Sequence, residues 1–312
     1  MRGNDPNRKG ARMQDILPFA KLQGLGNDFI LLDGLAKGID LSPGQIAHMC
    51  DRHFGIGADG VIVVRPSPQP GCAAYMHYVN ADGTPAQMCG NGVRCFAKFL
   101  VDNGYVPAAN GKLVADTPAG PRPIAFEVDA AGMLTRATVD MGRPVLDPAL
   151  VPVDAEPDAV ALFGEPFAGA LSLDSPWGPF AFACVSMGNP HAVCFLDDVD
   201  LDVFDVDTIG AFFESHPAFP EKANVEFAVV GPHGIAMRVY ERGCGETLAC
   251  GTGACATAVA ACLTGRATRE TDVLLRGGAL HIRWADDGHV MMTGPAAESF
   301  RGTVSLRERN PA

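Results

Sequence analysis

Short apolar runs with interspersed polar positions recur along most of the chain, the pattern of buried and half-buried strands. They cover residues 29–32 (FILL), 61–64 (VIVV), 73–80 (AAYMHYVN), 137–141 (ATVDM), 181–187 (AFACVSM), 192–195 (AVCF), 225–230 (VEFAVV) and 236–241 (AMRVYE). Two segments break that rhythm. VRCFAKFLVDNG (93–104) and ACATAVAACLTG (254–265) read as helices, each closed by a glycine, Gly104 or Gly265, suited to a left-handed stop. The second is apolar on every side, which predicts a helix at the centre of its unit with strands packed around it. Residues 247–265 carry no charge for 19 positions, nominally a membrane-span length. They are mostly Ala, Gly, Thr and Cys, however, so a helix buried in a protein core is the better reading. Residues 1–16 are polar and bear Gly and Pro, and read as a disordered leader in which Met13 is a second candidate start. Residues 66–71 and 155–178 read as Pro/Gly-bearing surface loops.

The pattern also repeats. Cys89-Gly90-Asn91-Gly92 recurs as Cys250-Gly251-Thr252-Gly253 at an offset of 161, and the helix-closing Gly104 and Gly265 keep the same offset. Gly26-Asn27 recurs as Gly188-Asn189 at 162, each leading into an apolar run. The halves close on Val139-Asp140-Met141-Gly142 and Met291-Met292-Thr293-Gly294. Several matches in one order imply duplication. The expected fold is therefore α+β, with two homologous domains, each a curved β-sheet or barrel wrapped around a central α-helix, and an active site in the cleft between them. Gly55-Ile56-Gly57-Ala58-Asp59-Gly60 fits a dinucleotide fingerprint by spelling only, because a strand-like run follows it where that motif needs a helix.

Composition narrows the function. A chain of 312 residues with 47% apolar and 19% charged positions is globular, with room for two domains. The net charge of −12 disfavours nucleic acid or an anionic membrane surface as partner and favours a small zwitterionic or cationic ligand. Ten cysteines without an apolar signal segment point to free thiols in a reducing compartment. A single free cysteine is most often core packing, the reading taken for Cys50, Cys72, Cys95, Cys184, Cys194, Cys255 and Cys262. No Cys-x2-Cys pair offers a zinc site, so no metal is expected.

Cys89 and Cys250 differ from the rest because they are matched across the repeat and flanked by glycine. Both stand at a predicted helix N-terminus, where unpaired N–H groups and a partial positive charge favour a thiolate and also hold a carboxylate. This predicts lowered thiol pKa values. If the halves face each other across a pseudo-twofold axis, one thiolate removes an α-proton while the opposite thiol delivers another to the other face. That chemistry is epimerisation without a cofactor.

The residues that follow resemble a known family. GLGNDF (24–29), RHFGIGADG (52–60), NADGTPAQMCGNGVRC (80–95), MGNPH (187–191) and ERGCGETLACGTGAC (241–255) are similar, in the same order, to signatures of the diaminopimelate epimerase family, over residues 19 to about 304. The resemblance implies interconversion of LL- and meso-2,6-diaminoheptanedioate (diaminopimelate) in lysine and peptidoglycan-precursor synthesis. It implies an isomerase without pyridoxal phosphate, a cytoplasmic homodimer, and a C-terminal segment that returns to the first domain. The domains are then 17–140 plus 296–312, and 141–295. By motif position Cys89 and Cys250 match the acid–base pair. Gly90, Asn91, Gly251 and Thr252 match the carboxylate-binding helix starts. Asn27, Asn80, Asn189, Asn224, Glu241 and Arg242 match residues that grip the amino groups and distal carboxylate. His191 and Glu241 match groups that tune the thiols. Many members carry a substrate-contacting glutamine where this chain has Gly60, so that contact is expected to be absent.

Two other readings stay open on the residues. A relative acting on proline or hydroxyproline would use the same two thiols, but such enzymes carry histidine at the position of Asn91 and have no need of Arg242. A redox or binding protein would close Cys89 and Cys250 into a reversible disulfide.

Overall fold

The computed structural model describes residues 16–85, 89–155 and 169–306. Strands dominate, and they fall into two sets with the same wiring. In the first, β1 (Ile16–Gly24), β2 (Asn27–Asp33), β3 (Gly60–Arg65), β4 (Ala74–Asn80), β5 (Lys112–Asp116), β6 (Arg122–Val128) and β7 (Leu134–Asp140) pair in chain order. In the second, β8 (Ala170–Leu173), β9 (Phe180–Ser186), β10 (Pro190–Phe195), β11 (Asn224–Gly231) and β12 (Gly234–Glu241) continue through β14 (Glu270–Leu275), β15 (Gly278–Trp284) and β16 (Val290–Pro295). The short β13 (Gly245–Thr247) folds back on β12. The parallel pairs fall at matching places, β2–β3 and β4–β5 in one set, β10–β11 and β12–β14 in the other. Each parallel pair needs a crossover, and two of those crossovers supply the central helices.

The first central helix, α2 (Gly90–Asp102), buries every residue from Gly90 to Val101. The other, which we call α4 (Gly251–Leu263), buries ten, chiefly alanines whose small side chains let strands approach from all sides. Gly104 and Gly265 follow at φ of 76° and 69°, the left-handed stop that the sequence suggests. The two curved sheets meet where β7 pairs antiparallel with β16, so that Val139 faces Met292 and Thr138 shares a 2.7 Å hydroxyl contact with Thr293. The two matched closing motifs are thus partners in space. One apolar cluster runs through both central helices, where the sequence had suggested two separate cores.

Each sheet also carries a helix on its outer face, which the sequence reading missed. α1 (Pro43–Cys50) buries Ile46, Met49 and Cys50 in a cluster with β1, β2 and β3. Its signal was present in Ser42-Pro43-Gly44-Gln45, which forms a complete capping box with proline in the first turn. α3 (Val206–Glu214), capped by Asp205, covers β9, β10 and β11 in the same way with Val206, Ile209 and Phe213.

Several expectations need correction. Of the leader expected over 1–16, residues 1–15 lie outside those described, and Ile16 already pairs with Ser305 in β1. Of the loop expected over 155–178, residues 156–168 lie outside them, whereas Ala170–Leu173 is a largely buried strand because it continues the second sheet beside β9. The last described strand, β17 (Ala297–Ser305), pairs antiparallel with β1. Cys72 and Cys262 are half-buried, since both lie at the margins of their units, while Cys50, Cys95, Cys184, Cys194 and Cys255 are core. None of the described helices is long and apolar enough to cross a membrane.

Candidate active site

Cys89 and Cys250 are the N-caps of α2 and α4, both in extended backbone conformation. The Gly92 N–H donates to Cys89 Sγ at 3.3 Å, and the Gly253 N–H donates to Cys250 Sγ at 3.4 Å. A thiol thus takes the part that a Ser or Asp side chain plays at an ordinary helix start. The glycines leave room for what surrounds them. A Cβ on Gly90 would lie 2.7 Å from Met292 Cε, and one on Gly251 would lie 3.0 Å from Met292 Sδ. The two helix starts therefore meet at the same side chain, which stands on the strand that joins the halves.

Asn91 ties the two starts together. Its Nδ2 donates to the carbonyl of Ala249, the residue before Cys250, and to Asn27 Oδ1, both at 3.2 Å. Asn27 Oδ1 also accepts from the Cys89 thiol at 3.5 Å. The orientation of the Asn27 amide is set on its far side, where Nδ2 donates to Asp59 Oδ2 at 2.6 Å. Asp59 is held in turn by Arg52, which also grips Asp28, and Asp28 pairs with the buried Lys21 at 2.8 Å. The turn that carries Asn27 is pinned by its position against the other half. Leu25 adopts a left-handed φ of 59° and is buried, and Gly277 has no room for a Cβ because the Leu25 carbonyl is there.

Around Cys250 the partners are Thr252, whose hydroxyl lies 3.4 Å from the sulfur, and Glu241, which accepts from Thr247 Oγ1. His191 is wholly buried, with Nδ1 2.6 Å from Glu226 Oε1 and Nε2 3.1 Å from Asn189 Oδ1. Glu226 is wholly buried too, and the position of a Cβ on Gly253 is 2.7 Å from its Oε1. Asn224 donates to the Pro190 carbonyl and accepts the Arg242 N–H. The strands repeat this layout. Gly60 faces Phe29 and Asn80 across β2–β3–β4. In the second half Asn224 faces His191, and Glu241 lies one position beyond the Val225–Tyr240 pair.

Two of the motif-matched residues are not drawn into this cluster. Asn80 bonds locally to Thr84, as a turn residue does, and the Arg242 guanidinium is exposed and donates to the Glu221 carbonyl. The surroundings of Gly60 are informative as well. A Cβ there would lie 2.6 Å from both the Tyr78 ring and the Val79 carbonyl, so Tyr78 fills the space that a longer side chain would need.

The thiols depart from the sequence argument. Burial pushes Cys89 up to about 11 despite the Gly92 N–H, with Glu241 raising it further and Arg94 and the Asn91 N–H lowering it. Burial also raises Cys250 well above the ordinary thiol value; Glu241 and Glu226 add to the rise, and Thr252 and the Gly253 N–H offset part of it. The helix start stabilises a thiolate, but desolvation and neighbouring carboxylates outweigh it here. Glu241 is itself raised by burial, opposed by its Thr247 and Cys250 hydrogen bonds and by His191.

Three participants escaped the sequence reading: the buried Arg94 and Glu226 and the half-buried Asp59. Their signals were slight, a charged residue in each of the apolar runs VRCFAKFLV and VEFAVV and an aspartate inside a motif rejected as a decoy.

Comparison with known proteins adds an independent line. The family model for diaminopimelate epimerase matches residues 19–146 and 183–298. Diaminopimelate epimerase of Picosynechococcus is 46% identical over 93% of this chain and 100% of its own length, and that of Leptospira biflexa is 44% identical over 92% and 99%. Among solved structures, a probable proline racemase from Agrobacterium radiobacter superposes with a TM-score of 0.68 at 15% identity, covering 95% of this chain and 94% of that one. A hydroxyproline epimerase from Agrobacterium vitis gives the same score and identity over 95% and 93%. At that identity the solved structures speak to the fold alone, a duplicated sheet around two central helices. With five motifs in order, the paired cysteine-capped helices and near-full-length relatives, the chain belongs to the diaminopimelate epimerase family.

Proposed function

We propose that this protein interconverts LL- and meso-2,6-diaminoheptanedioate by exchanging the α-proton between Cys89 and Cys250, with neither metal nor cofactor. The observation that carries the reading is the pair of cysteine-capped helix starts joined by Asn91. The helix-start N–H groups of Gly90, Asn91, Gly251 and Thr252 hold the α-carboxylate as carbanionic charge develops beside it. One thiolate takes the α-proton, the carbanion takes a proton from the opposite thiol, and the two sulfurs end with their protonation states exchanged. Solvent resets them.

The remaining roles follow from donor and acceptor chemistry. Asn27, Asn80, Asn189 and Asn224 serve the substrate's ammonium groups and carboxylates, Glu241 accepts from ammonium, and Arg242 offers a two-pronged donor to the distal carboxylate. Arg242 must leave the Glu221 carbonyl to do so, which fits a guanidinium on an exposed turn. His191 acts on the thiols through Glu241, whose pKa it lowers. A division into domains of 17–140 plus 296–312 and 141–295, a homodimeric assembly and a cytoplasmic setting belong to the same reading; light scattering on the purified chain tests the assembly.

Proton NMR of the reduced, chelator-treated protein with LL-diaminopimelate in deuterated water tests the reaction. The expected result is meso product with deuterium at the inverted carbon. A folded, reduced protein that neither exchanges nor inverts this substrate, but turns over L-proline, would overturn the substrate assignment. Cys89→Ala and Cys250→Ala should each lower kcat at least about a thousandfold, because each face of the carbon has one proton carrier. Near-normal turnover by either variant would sink the two-base scheme.

A further inference from the structure

Arg94 has no exposed surface at all, and among the described residues no carboxylate stands within ion-pairing distance of it. Lys98, one turn further along α2, is the instructive contrast: it pairs at 2.8 Å with the buried Asp102. Burying a cation without a counter-ion costs several kcal/mol, and the positive end of a helix dipole adds to the cost. An ordinary core would hold Leu or Met here. The fold instead clears space for the guanidinium. A Cβ on Gly24 would be 3.1 Å from Nη2, and one on Gly294 would be 3.1 Å from Nε.

The guanidinium is also fixed in direction. Nη2 donates to Asn91 Oδ1 at 3.0 Å, Nε donates to the Pro295 carbonyl at 3.1 Å, and Nη1 approaches the Gly90 carbonyl at 3.5 Å. The bond to Asn91 Oδ1 turns the Asn91 amide so that Nδ2 points at Asn27 and Ala249, the link between the two helix starts. The charge is confined to one side, because the position 161 residues on is Cys255. Titratable groups that feel Arg94 are Cys89 and Cys95 on its own helix and Cys255 on α4; those that feel Cys89 also include Glu241 on β12 and Tyr78 on β4.

We propose that Arg94 is a positioning residue that supplies the site's counter-charge: an uncompensated guanidinium behind the first helix start that aligns Asn91 and stabilises the negative charge of the Cys89 thiolate and the bound α-carboxylate. The carboxylate half of this statement rests on the proposed function; the Cys89 half does not. Charge from Cys89 or substrate completes the pairing that the resting core lacks, so the cost of burying Arg94 is recovered only when the site is charged.

The test is the pH dependence of iodoacetamide alkylation at Cys89 and Cys250, read by peptide mass spectrometry, together with kcat and KM for LL-diaminopimelate. Arg94→Met should slow alkylation of Cys89 at a fixed pH by about tenfold, the consequence of a rise of about one pH unit in its apparent pKa, and leave Cys250 within about twofold. Arg94→Lys keeps the charge without the fork, so the Cys89 profile should stay near that of the unmodified chain while kcat falls through the loosened Asn91. A folded Arg94→Met with an unchanged Cys89 profile overturns the proposal, even if activity is lost, since a merely structural arginine would give that result. If Arg94→Met does not fold, a tenfold slowing of Cys89 alkylation in Arg94→Lys overturns it. A shifted Cys89 profile in Arg94→Met, with no turnover of diaminopimelate by the unmodified chain, would support the counter-charge and reject the substrate.

Discussion

The thiols of Cys89 and Cys250 each accept an N–H from the third residue of the helix they cap, and yet burial keeps the proton on both. Their surroundings differ: Cys89 has a cation behind it, and Cys250 has Glu241 and Glu226. The groups that make the difference come from strands remote in sequence, so the repeat of Cys-Gly-x-Gly could identify the thiols and not their charge state. The same holds at position 60. A glutamine there would collide with Tyr78 and the Val79 carbonyl. Gly60→Gln should therefore lose about 1–3 kcal/mol of stability by overpacking, and Gly60→Gln with Tyr78→Ile should regain part of it. Urea denaturation measures both, and a single variant as stable as the parent would refute the steric argument.

At the scale of elements, what matters is how the two helix starts are brought to one place. Ordinarily a helical Gly→Ala change stabilises a protein by about 0.5–1 kcal/mol. Gly253→Ala should do the reverse, because its Cβ would meet the buried carboxylate of Glu226 at 2.7 Å and the Cys250 sulfur at 3.3 Å. Gly90→Ala meets the far end of the flexible Met292, which can turn aside. The expected order is a melting temperature lowered by several degrees and a kcat loss above about tenfold for Gly253→Ala, with a smaller loss of stability for Gly90→Ala. Thermal unfolding with steady-state kinetics on the two variants decides; the opposite order would mean that Glu226 is not held where it stands. The central helices were legible from their closing glycines and, for the second, from its all-round apolar pattern. The outer helices α1 and α3 are short and lie between strand signals, and only the capping box at Ser42 marked one of them.

At the scale of the whole molecule, duplication places ten free cysteines in and around two cores that share one apolar cluster. Burial raises Cys50, Cys95, Cys194 and Cys255 to about 12 and Cys89 to about 11; Cys184 is raised further than these, and Cys250 is raised well above the ordinary thiol value. An unfolded thiol titrates near 8.5, so the folded state binds more protons than the unfolded state above that pH. Stability is therefore fully present below about pH 8.5 and is lost as pH rises through the folded values near 11–12. The melting temperature in reductant should be level between about pH 7 and 8.5 and fall steadily above about pH 9; a level profile to pH 11 would show that these thiols are solvated. Periodicity, turn glycines and the internal repeat determined the strands, the central helices and the duplication and singled out Cys89 and Cys250, because each is encoded within a few neighbouring residues or a constant offset. The tertiary structure alone decided that β7 joins β16, that Asn91 reaches Ala249, that Asp59 orients Asn27, and that Arg94 and Glu226 lie buried around the thiols. Those contacts bring together residues up to about two hundred positions apart, and both their distance and their dielectric setting arise only when the two sheets close.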